Sequence, residues 1–190
     1  MASISGPTQP IPNRKDHTMR AKRQMQNLRF VVEQLRQQYE ASFDMLKAAV
    51  EQCPDALWRD PDSKPAYWHE AYHALFWCDN FVGKKDKPFE RCPVHVDIDP
   101  RLFGDPGRLM CKHELLDLLC AARVHVAQRL DEMVDADLTE EDGYGEGTDV
   151  RKFDVVLHRI LYGLRHGQHH VGKLAGRLWA KNVSSGEWRG

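Results

Sequence analysis

The chain has 190 residues, of which 42% are hydrophobic, and this suits one domain with a single core. Its 27 basic and 28 acidic residues give a formal net charge of −1, so no electrostatic attraction toward nucleic acid or anionic lipid is expected. No apolar run reaches transmembrane length, and residues 1–16 lack the apolar stretch of a signal peptide. We therefore expect a cytoplasmic protein that binds neither nucleic acid nor a membrane.

The N-terminal part of the chain contains two predicted helices. Residues 1–16 carry three prolines among small polar residues and are expected to form a disordered tail. Thr18 is the expected N-cap of the first helix, in which apolar residues recur in steps of three and four until the helix ends before Cys53. The second helix is predicted over residues 65–82, with a proline in its first turn and six aromatic side chains.

A long irregular connection separates the second helix from the third. Residues 84–110 contain four prolines and a short strand-like fragment over 94–98. A connection of this length inside a compact domain usually has a function, and we interpret it as a crossover that covers a pocket. The third helix is predicted over residues 112–134, with leucine and valine side chains facing the core.

The C-terminal part contains the fourth predicted helix, over residues 150–181, which follows an acidic, glycine-rich loop at 136–149. Four long helices joined by loops of mixed length predict an all-α fold, a four-helix bundle over residues 17–182, with a C-terminal tail at 183–190. The five cysteines show no metal-binding or redox spacing, so we expect reduced and mostly buried thiols.

Two pairs of histidines have the spacing that places side chains on one face of a helix. His166 and His170 lie four residues apart on the fourth helix, and His69 and His73 lie four residues apart on the second. Two imidazoles placed in this way can bind one cation at about 2.0–2.1 Å each, and facing helices of a bundle commonly carry such sites. The two pairs therefore favour a metal site between the helices over four unrelated histidines.

Two other metal motifs are the weaker alternatives. Residues 69–73 read H-E-x-x-H, the zincin motif in which the glutamate is the general base, but the chain lacks the metzincin continuation with a glycine and a third histidine. Glu70 and His73 also match half of a di-iron carboxylate motif. His166 and His170 have no carboxylate on their helix face, which argues against a di-iron site.

Two segments together resemble the DinB-like superfamily. The run WHEAYHALFW at residues 68–77 is similar to the second-helix motif of that family, which carries one metal ligand. The run LRHGQHHVG at residues 164–172 is similar to its C-terminal motif, which carries two more. The resemblance covers roughly residues 25–180 and includes the order of the helices.

The resemblance implies a four-helix bundle, often dimeric, in which His73, His166 and His170 hold one divalent ion, zinc or nickel. It also implies chemistry on small molecules, such as S-transfer or isomerisation with a low-molecular-weight thiol, or metal-dependent hydrolysis. Many members of the family have no known activity, and some respond to stress. The family therefore indicates the site more narrowly than it indicates the reaction.

Three further residues are candidates for a catalytic role. Helical phase places Arg159 and Tyr162 on the histidine side of the fourth helix, where Arg159 could bind a carboxylate or a thiol cofactor, or form a surface ion pair. Glu70 could shuttle protons, although a surface position or support of a ligand suits its phase better. The fourth helix also carries glycines that predict close packing of a neighbouring helix or space beside the metal: Gly163, Gly167, Gly172 and Gly176.

Three neutral imidazoles leave a divalent ion with an open coordination position, which is the layout of a catalytic site. We therefore expect a metal-dependent S-transferase or hydrolase that acts on a small molecule and forms a homodimer. The alternative is a non-enzymatic stress-related or binding protein with a structural or vestigial metal. In either case, metal affinity is expected to fall as the pH drops through the ordinary histidine pKa of about 6.5.

Overall fold

Five α-helices and one 3₁₀ turn make up most of the structure, a computed structural model that describes residues 28–83, 98–103, 105–142 and 153–187. These residues contain no strand, which confirms the all-α class. None of their helices combines the length and the apolar character that a membrane span requires. The elements in chain order are α1 (Phe30–Gln52), α2 (Asp55–Trp58), α3 (Tyr67–Asn80), α4 (Lys112–Asp131), the 3₁₀ turn (Asp137–Thr139) and α5 (Val156–Trp179).

Several sequence predictions fall outside the described residues. They concern the N-terminal tail at 1–16, the N-cap at Thr18, most of the strand-like fragment at 94–98, and residues 143–149 of the acidic loop. Of the cysteines, Cys92 also lies outside. The prediction of mostly buried thiols is confirmed for Cys53 and Cys78 and is wrong for the remaining two, because Cys111 and Cys120 are exposed.

Helix α1 begins later than its apolar pattern indicates. Leu28 is predicted to be helical, but it lies in a turn before Phe30. The reason is a cap from another part of the chain: the Asp135 carboxylate accepts hydrogen bonds from the amides of Val31 and Val32, at 3.0 Å each. A carboxylate at this position satisfies two amides that have no partner inside the helix and opposes the positive end of the helix dipole.

The short helix α2 was not predicted from the sequence. Leu57 and Trp58 are buried, and the Trp58 indole Nε1–H donates a hydrogen bond to the Met110 carbonyl at 2.8 Å. The contact fixes the end of the long crossover against the turn between α1 and α3. The local signal, Pro54 followed by Asp55, is typical of a helix start, but four residues give no periodicity to detect.

Helix α3 is buried along almost its whole length, and Trp77 is its only partly exposed residue. The other long helices cover most of its aromatic side chains. The homodimer itself stays a prediction from the resemblance. One face of α3 packs closely on α5, and this contact positions the histidines.

Helix α5 begins at Val156, six residues after the predicted start at residue 150. An antiparallel bridge pairs Glu141 with Val155, and the Val156 amide donates to the Glu140 carbonyl at 3.1 Å. These bonds hold the backbone before Val156 extended, so the helix cannot start earlier. At the other end of the preceding connection, α4 stops at Asp131 rather than at residue 134.

Two glycines of α5 allow the close contact with α3. A Cβ added at Gly163 would lie 2.7 Å from the Phe81 Cβ and 2.8 Å from the Tyr39 hydroxyl oxygen, and one added at Gly167 would overlap the Cys78 sulfur. Close packing is therefore confirmed for these two positions. It is wrong for the other two glycines of the helix, since a Cβ built at Gly172 or Gly176 would have no atom of another described element within 4 Å.

Candidate metal centre

Three histidines from two helices meet at one point between α3 and α5. His73, His166 and His170 each offer one ring nitrogen, and these nitrogens all lie within 4.8 Å of one another. The Nε2 atoms of His73 and His166 are 2.9 Å apart. The structure thus brings together the three residues that the family resemblance implies, and it leaves His69 outside the group.

The backbone of the crossover fixes the orientation of His73. Its Nδ1 lies 2.6 Å from the Pro100 carbonyl oxygen. A carbonyl oxygen can only accept a hydrogen bond, so Nδ1 of a neutral His73 carries the proton and Nε2 keeps a free lone pair. The Nε2 atom is the one that faces His166, and its lone pair is therefore directed into the three-histidine group.

Glu70 does the same for His170. Its Oε1 lies 3.0 Å from His170 Nδ1, and the carboxylate is 1% exposed. Because an ionised carboxylate is only an acceptor, Nδ1 of a neutral His170 carries the proton and Nε2 is free for a ligand. A carboxylate behind a histidine is the usual partner of a metal ligand, since it orients the ring and raises the basicity of the other nitrogen.

Glu70 stays ionised because two cations from α5 accompany it. Lys173 Nζ lies 2.5 Å from Oε1, and Arg177 Nη1 lies 3.2 Å from Oε2. Burial alone would raise the pKa of Glu70, but the hydrogen bonds from His170 and Lys173 and the positive charges nearby outweigh it, so the pKa is lowered to about 2. The carboxylate is thus fully engaged as a support for His170, which is one of the roles that its helical phase predicts.

His166 forms the open side of the group. It is half-buried and lines a cavity of about 310 Å³ together with Tyr162, Arg165 and His169. The Tyr162 ring packs on the His166 ring with a centroid distance of 5.7 Å. The candidate residue Tyr162 is therefore beside the histidines, as its phase on α5 predicts, and among the described residues this is the side on which the group borders a cavity.

Burial keeps the imidazoles of His73 and His166 neutral. It lowers the pKa of His73 to about 3, and the neighbouring histidines add to this shift, although the bond to the Pro100 carbonyl opposes it. Burial and the nearby His170, His169 and Arg165 lower the pKa of His166 to about 4. Neutral imidazoles are the form that binds metal, so these two side chains are ready to act as ligands at neutral pH and well below it.

The distances fit a divalent ion bound by imidazole. Two nitrogens bound to one zinc ion at tetrahedral angles lie about 3.3 Å apart. The His73 and His166 nitrogens are 2.9 Å apart, and no pair in the group exceeds 4.8 Å. Small rotations of the rings would therefore complete a three-nitrogen site, and an all-imidazole donor set suits zinc, nickel, copper or iron.

The two weaker motif interpretations have no matching geometry. His69 Nε2 donates to the Asp99 carbonyl at 2.7 Å and is not part of the three-histidine group, whereas the zincin motif requires it as a ligand. Glu70 faces His170 instead of an open position. Among the described residues, no carboxylate belongs to the group of potential ligands, as a di-iron site would require.

Arg159 is buried between the end of α3 and α5, and its binding of a carboxylate or a thiol cofactor stays a prediction. Its side chain is 1% exposed and pairs with the equally buried Asp142 at 2.9 Å. It also donates to the carbonyls of Phe81 and Gly83, at 2.5 and 2.9 Å. The guanidinium therefore ties the end of α3 to α5, and the alternative of a surface ion pair is corrected to a buried one.

Sequence reasoning missed the supports that come from other parts of the chain. The Pro100 carbonyl gives no signal in the sequence, because any residue has a carbonyl. Lys173 and Arg177 lie one and two turns after His170 on α5, so a search for cations near the ligands could have found them. No family model, no curated protein and no solved structure matches this chain, so the assignment of the site depends on its geometry.

Proposed function

We propose that this protein is a metal-dependent enzyme that transfers a thiol to a small molecule or hydrolyses one. The observation that carries the proposal is the acceptor oxygen beside Nδ1 of two of the three histidines, His73 and His170. Oxygens that can only accept hydrogen bonds hold Nδ1 of His73 and His170, and so they direct both free Nε2 lone pairs into one space. Histidines that only fill a core have no need of this shared orientation.

The open side favours catalysis over a purely structural ion. Structural zinc is normally closed by four protein ligands, whereas three protein ligands leave a position for water or substrate. A divalent ion bound here would lower the pKa of a coordinated water or thiol and so supply the nucleophile. The residues of the chain hold and orient the ligands, and the cavity beside His166 admits the small molecule.

Several finer features belong to the same proposal. The ion is zinc or nickel, and a low-molecular-weight thiol is the co-substrate of the transfer reaction. The four long helices form a four-helix bundle of the DinB-like kind, and two copies associate as a homodimer in the cytoplasm. The packing of all four helices around one core supports the bundle, and the two histidine-bearing runs support the relationship to the family.

A second candidate function is a non-enzymatic stress-related or binding protein with a structural or vestigial metal. One observation favours it: the candidates for proton transfer and for substrate binding are already engaged. Glu70 is bound to His170, Lys173 and Arg177, and Arg159 is buried against Asp142. The remaining candidate named from the sequence, Tyr162, lines the cavity beside His166.

Elemental analysis of single-histidine variants tests the ligand set. Purified without a His-tag or chelator, the protein should contain about one ion per chain, and His73→Ala, His166→Ala and His170→Ala should each lose it. The matched control is His69→Ala, which removes an imidazole of the same helix and should keep most of the metal. Loss of the ion in His69→Ala together with its retention in His166→Ala would favour the zincin arrangement instead.

A thiol-transfer and hydrolysis screen with the metal-loaded protein then separates the two candidate functions. Turnover that depends on the ion and disappears in His166→Ala would support the enzyme. A protein that binds one ion tightly and shows no turnover with any thiol acceptor or hydrolysable substrate would support the binding protein.

A further inference from the structure

One arginine beside the metal centre has no acidic partner among the described residues. Eight others pair with a carboxylate within 4 Å: Arg29, Arg36, Arg101, Arg108, Arg123, Arg129, Arg159 and Arg177. Of the two that remain in this part of the chain, Arg59 lies at the end of α2 and does not line the cavity beside His166, whereas Arg165 does.

The environment of Arg165 holds its guanidinium at the mouth of the site. The side chain is exposed, and the guanidinium carbon lies 5.2 Å from the centroid of the Tyr162 ring. Such a cation–π contact limits the rotamers of a long side chain and so reduces the entropy lost when it binds a ligand. The described residues that line the cavity are Tyr162, Arg165, His166 and His169, and none of them is acidic.

We infer that Arg165 selects substrates that carry a carboxylate, by binding this group while the reacting atom occupies the open position at His166. The inference rests on the proposed function, because the ion of that function binds the reacting atom of the substrate while Arg165 binds the carboxylate. A guanidinium offers two parallel N–H donors that match the two oxygens of a carboxylate. Three neutral imidazoles leave the whole charge of a divalent ion uncompensated, so the site as a whole attracts anions.

The position of Arg165 in the chain fits a role in specificity rather than in metal binding. It precedes His166 directly in the sequence, so its positive charge lies next to a proposed metal ligand. A positive charge next to a metal ligand opposes binding of the cation. A site that only had to hold metal would gain from a neutral residue here, whereas a site that binds an anionic substrate gains from the arginine.

Two thiols that differ only in charge test the inference on the cobalt-loaded protein. The probes are 3-mercaptopropionate and 3-mercapto-1-propanol, and the visible spectrum of cobalt reports thiolate binding without any turnover. In the unmodified protein the carboxylate thiol should bind more tightly. Arg165→Met should weaken its binding about tenfold, as expected for loss of a charged hydrogen bond, and should leave the alcohol almost unchanged.

Arg59→Met is the matched control, since it removes an equally unpaired arginine away from the cavity and should behave as the unmodified protein. Any chelation of cobalt by the carboxylate contributes equally in all three proteins, so it cancels in the comparison. Cobalt binding with an unchanged thiol preference in Arg165→Met would overturn the role of Arg165 alone. Failure of the unmodified protein to take up cobalt would overturn the proposed function, and the inference with it.

Discussion

Oxygens that can only accept hydrogen bonds decide where the protons of His73 and His170 lie. Only one of these two oxygens can be removed by a mutation. The Pro100 carbonyl belongs to the backbone and is insensitive to the side chain at that position, whereas the Glu70 carboxylate is charged and can be replaced. Substitution of Glu70 therefore isolates the contribution of the carboxylate to the basicity of a ligand.

Glu70→Gln should weaken metal binding by at least about tenfold. The amide oxygen can still accept a hydrogen bond from Nδ1–H of His170. It lacks the negative charge that makes the Nε2 lone pair of the imidazole a stronger ligand for a metal. The melting temperature should also fall, because Lys173 and Arg177 lose their buried partner. Competition with a chelating dye measures the affinity, and Glu33→Gln on α1, where the carboxylate pairs with Arg36, is the control. Equal affinity of both variants would mean that Glu70 does not support the site.

The buried histidines should make metal binding less sensitive to acid than free imidazole is. The pKa of His73 is about 3 and that of His166 about 4, so neither ligand takes up a proton between pH 7 and 5.5. A site of three histidines with ordinary pKa values would lose about 500-fold in metal affinity between pH 7 and 5.5. A site in which at most one ligand takes up a proton should lose no more than about 30-fold. This replaces the expectation from sequence of a steep loss near pH 6.5, and titrations at the two pH values decide between them.

The same pKa shifts fix the direction in which the metal-free protein responds to pH. Below about pH 6.5 the unfolded chain binds protons at His73 and His166, whereas the folded chain does so only near pH 3 and 4. Because the unfolded state then holds more protons, the free energy of unfolding decreases as the pH falls from about 6.5 toward 4. A bound ion would oppose this loss.

At the scale of single residues, the sequence predicts the ligands better than their supports. The four-residue spacing of histidines, together with the resemblance, is enough to select His73, His166 and His170. The functions of Glu70 and Arg159 depend on which side chains and carbonyls of other elements approach them. Helical phase gives the direction of a side chain on its own helix but not the identity of what it meets.

At the scale of elements, the contact between α3 and α5 controls the geometry of the site. His73 lies on α3, and His166 and His170 lie on α5. The separation of the two helix axes therefore sets the distance between the ring nitrogens. Gly167 lies one residue after His166, where its hydrogen permits contact with the Cys78 sulfur. Any side chain at this position would overlap the sulfur, so the Cys78 side chain must rotate or the two helices must separate.

Gly167→Ala should destabilise the protein by about 1–3 kcal/mol and weaken metal binding as well, because the added methyl group overpacks the contact with Cys78. Gly176→Ala is the matched control on the same helix. No atom of another described element lies within 4 Å of a Cβ at Gly176, so the alanine should leave stability unchanged or raise it by up to about 1 kcal/mol. Urea denaturation and metal titration of both variants test this, and equal effects would show that helix packing does not set the site.

The ends of the helices were predicted less well than their existence. Helix α1 starts where Asp135 caps it, and α5 starts where the bridge between Glu141 and Val155 ends. Both limits come from residues far from the helix along the chain or from the connection before it. Apolar periodicity reports only the faces of a helix, so it cannot detect a cap that tertiary structure supplies.

At the scale of the whole molecule, one apolar core joins all four long helices. Buried side chains of each helix belong to the same cluster, for example Phe43 of α1, Leu75 of α3, Leu119 of α4 and Leu174 of α5. The histidines lie at the side of this core. The fold therefore does not need an ion to form, in contrast to a zinc finger.

Removal of the metal should leave the helical content intact and lower the melting temperature only moderately. The loss of stability should equal what metal binding contributes by mass action. At a free metal concentration one hundred times the dissociation constant, this is about 2.7 kcal/mol of the free energy of unfolding. Circular dichroism and thermal melting after chelation, with metal then added back, provide the measurement. Loss of helical signal on chelation would contradict the prediction and would assign the ion a structural role.

The placement of the ligands has a consequence for how the chain reaches its fold. His73 and His166 are 93 residues apart along the chain, so an ion bound to both would close a loop of about half the protein. Closing a loop of this length removes conformational entropy from any state that keeps the ion, much as a disulfide does, although a chelator can open it again. A chain that retains its ion would begin refolding with the ends of this loop already joined. Ion-bound refolding should then avoid the slow search that brings these two distant segments together.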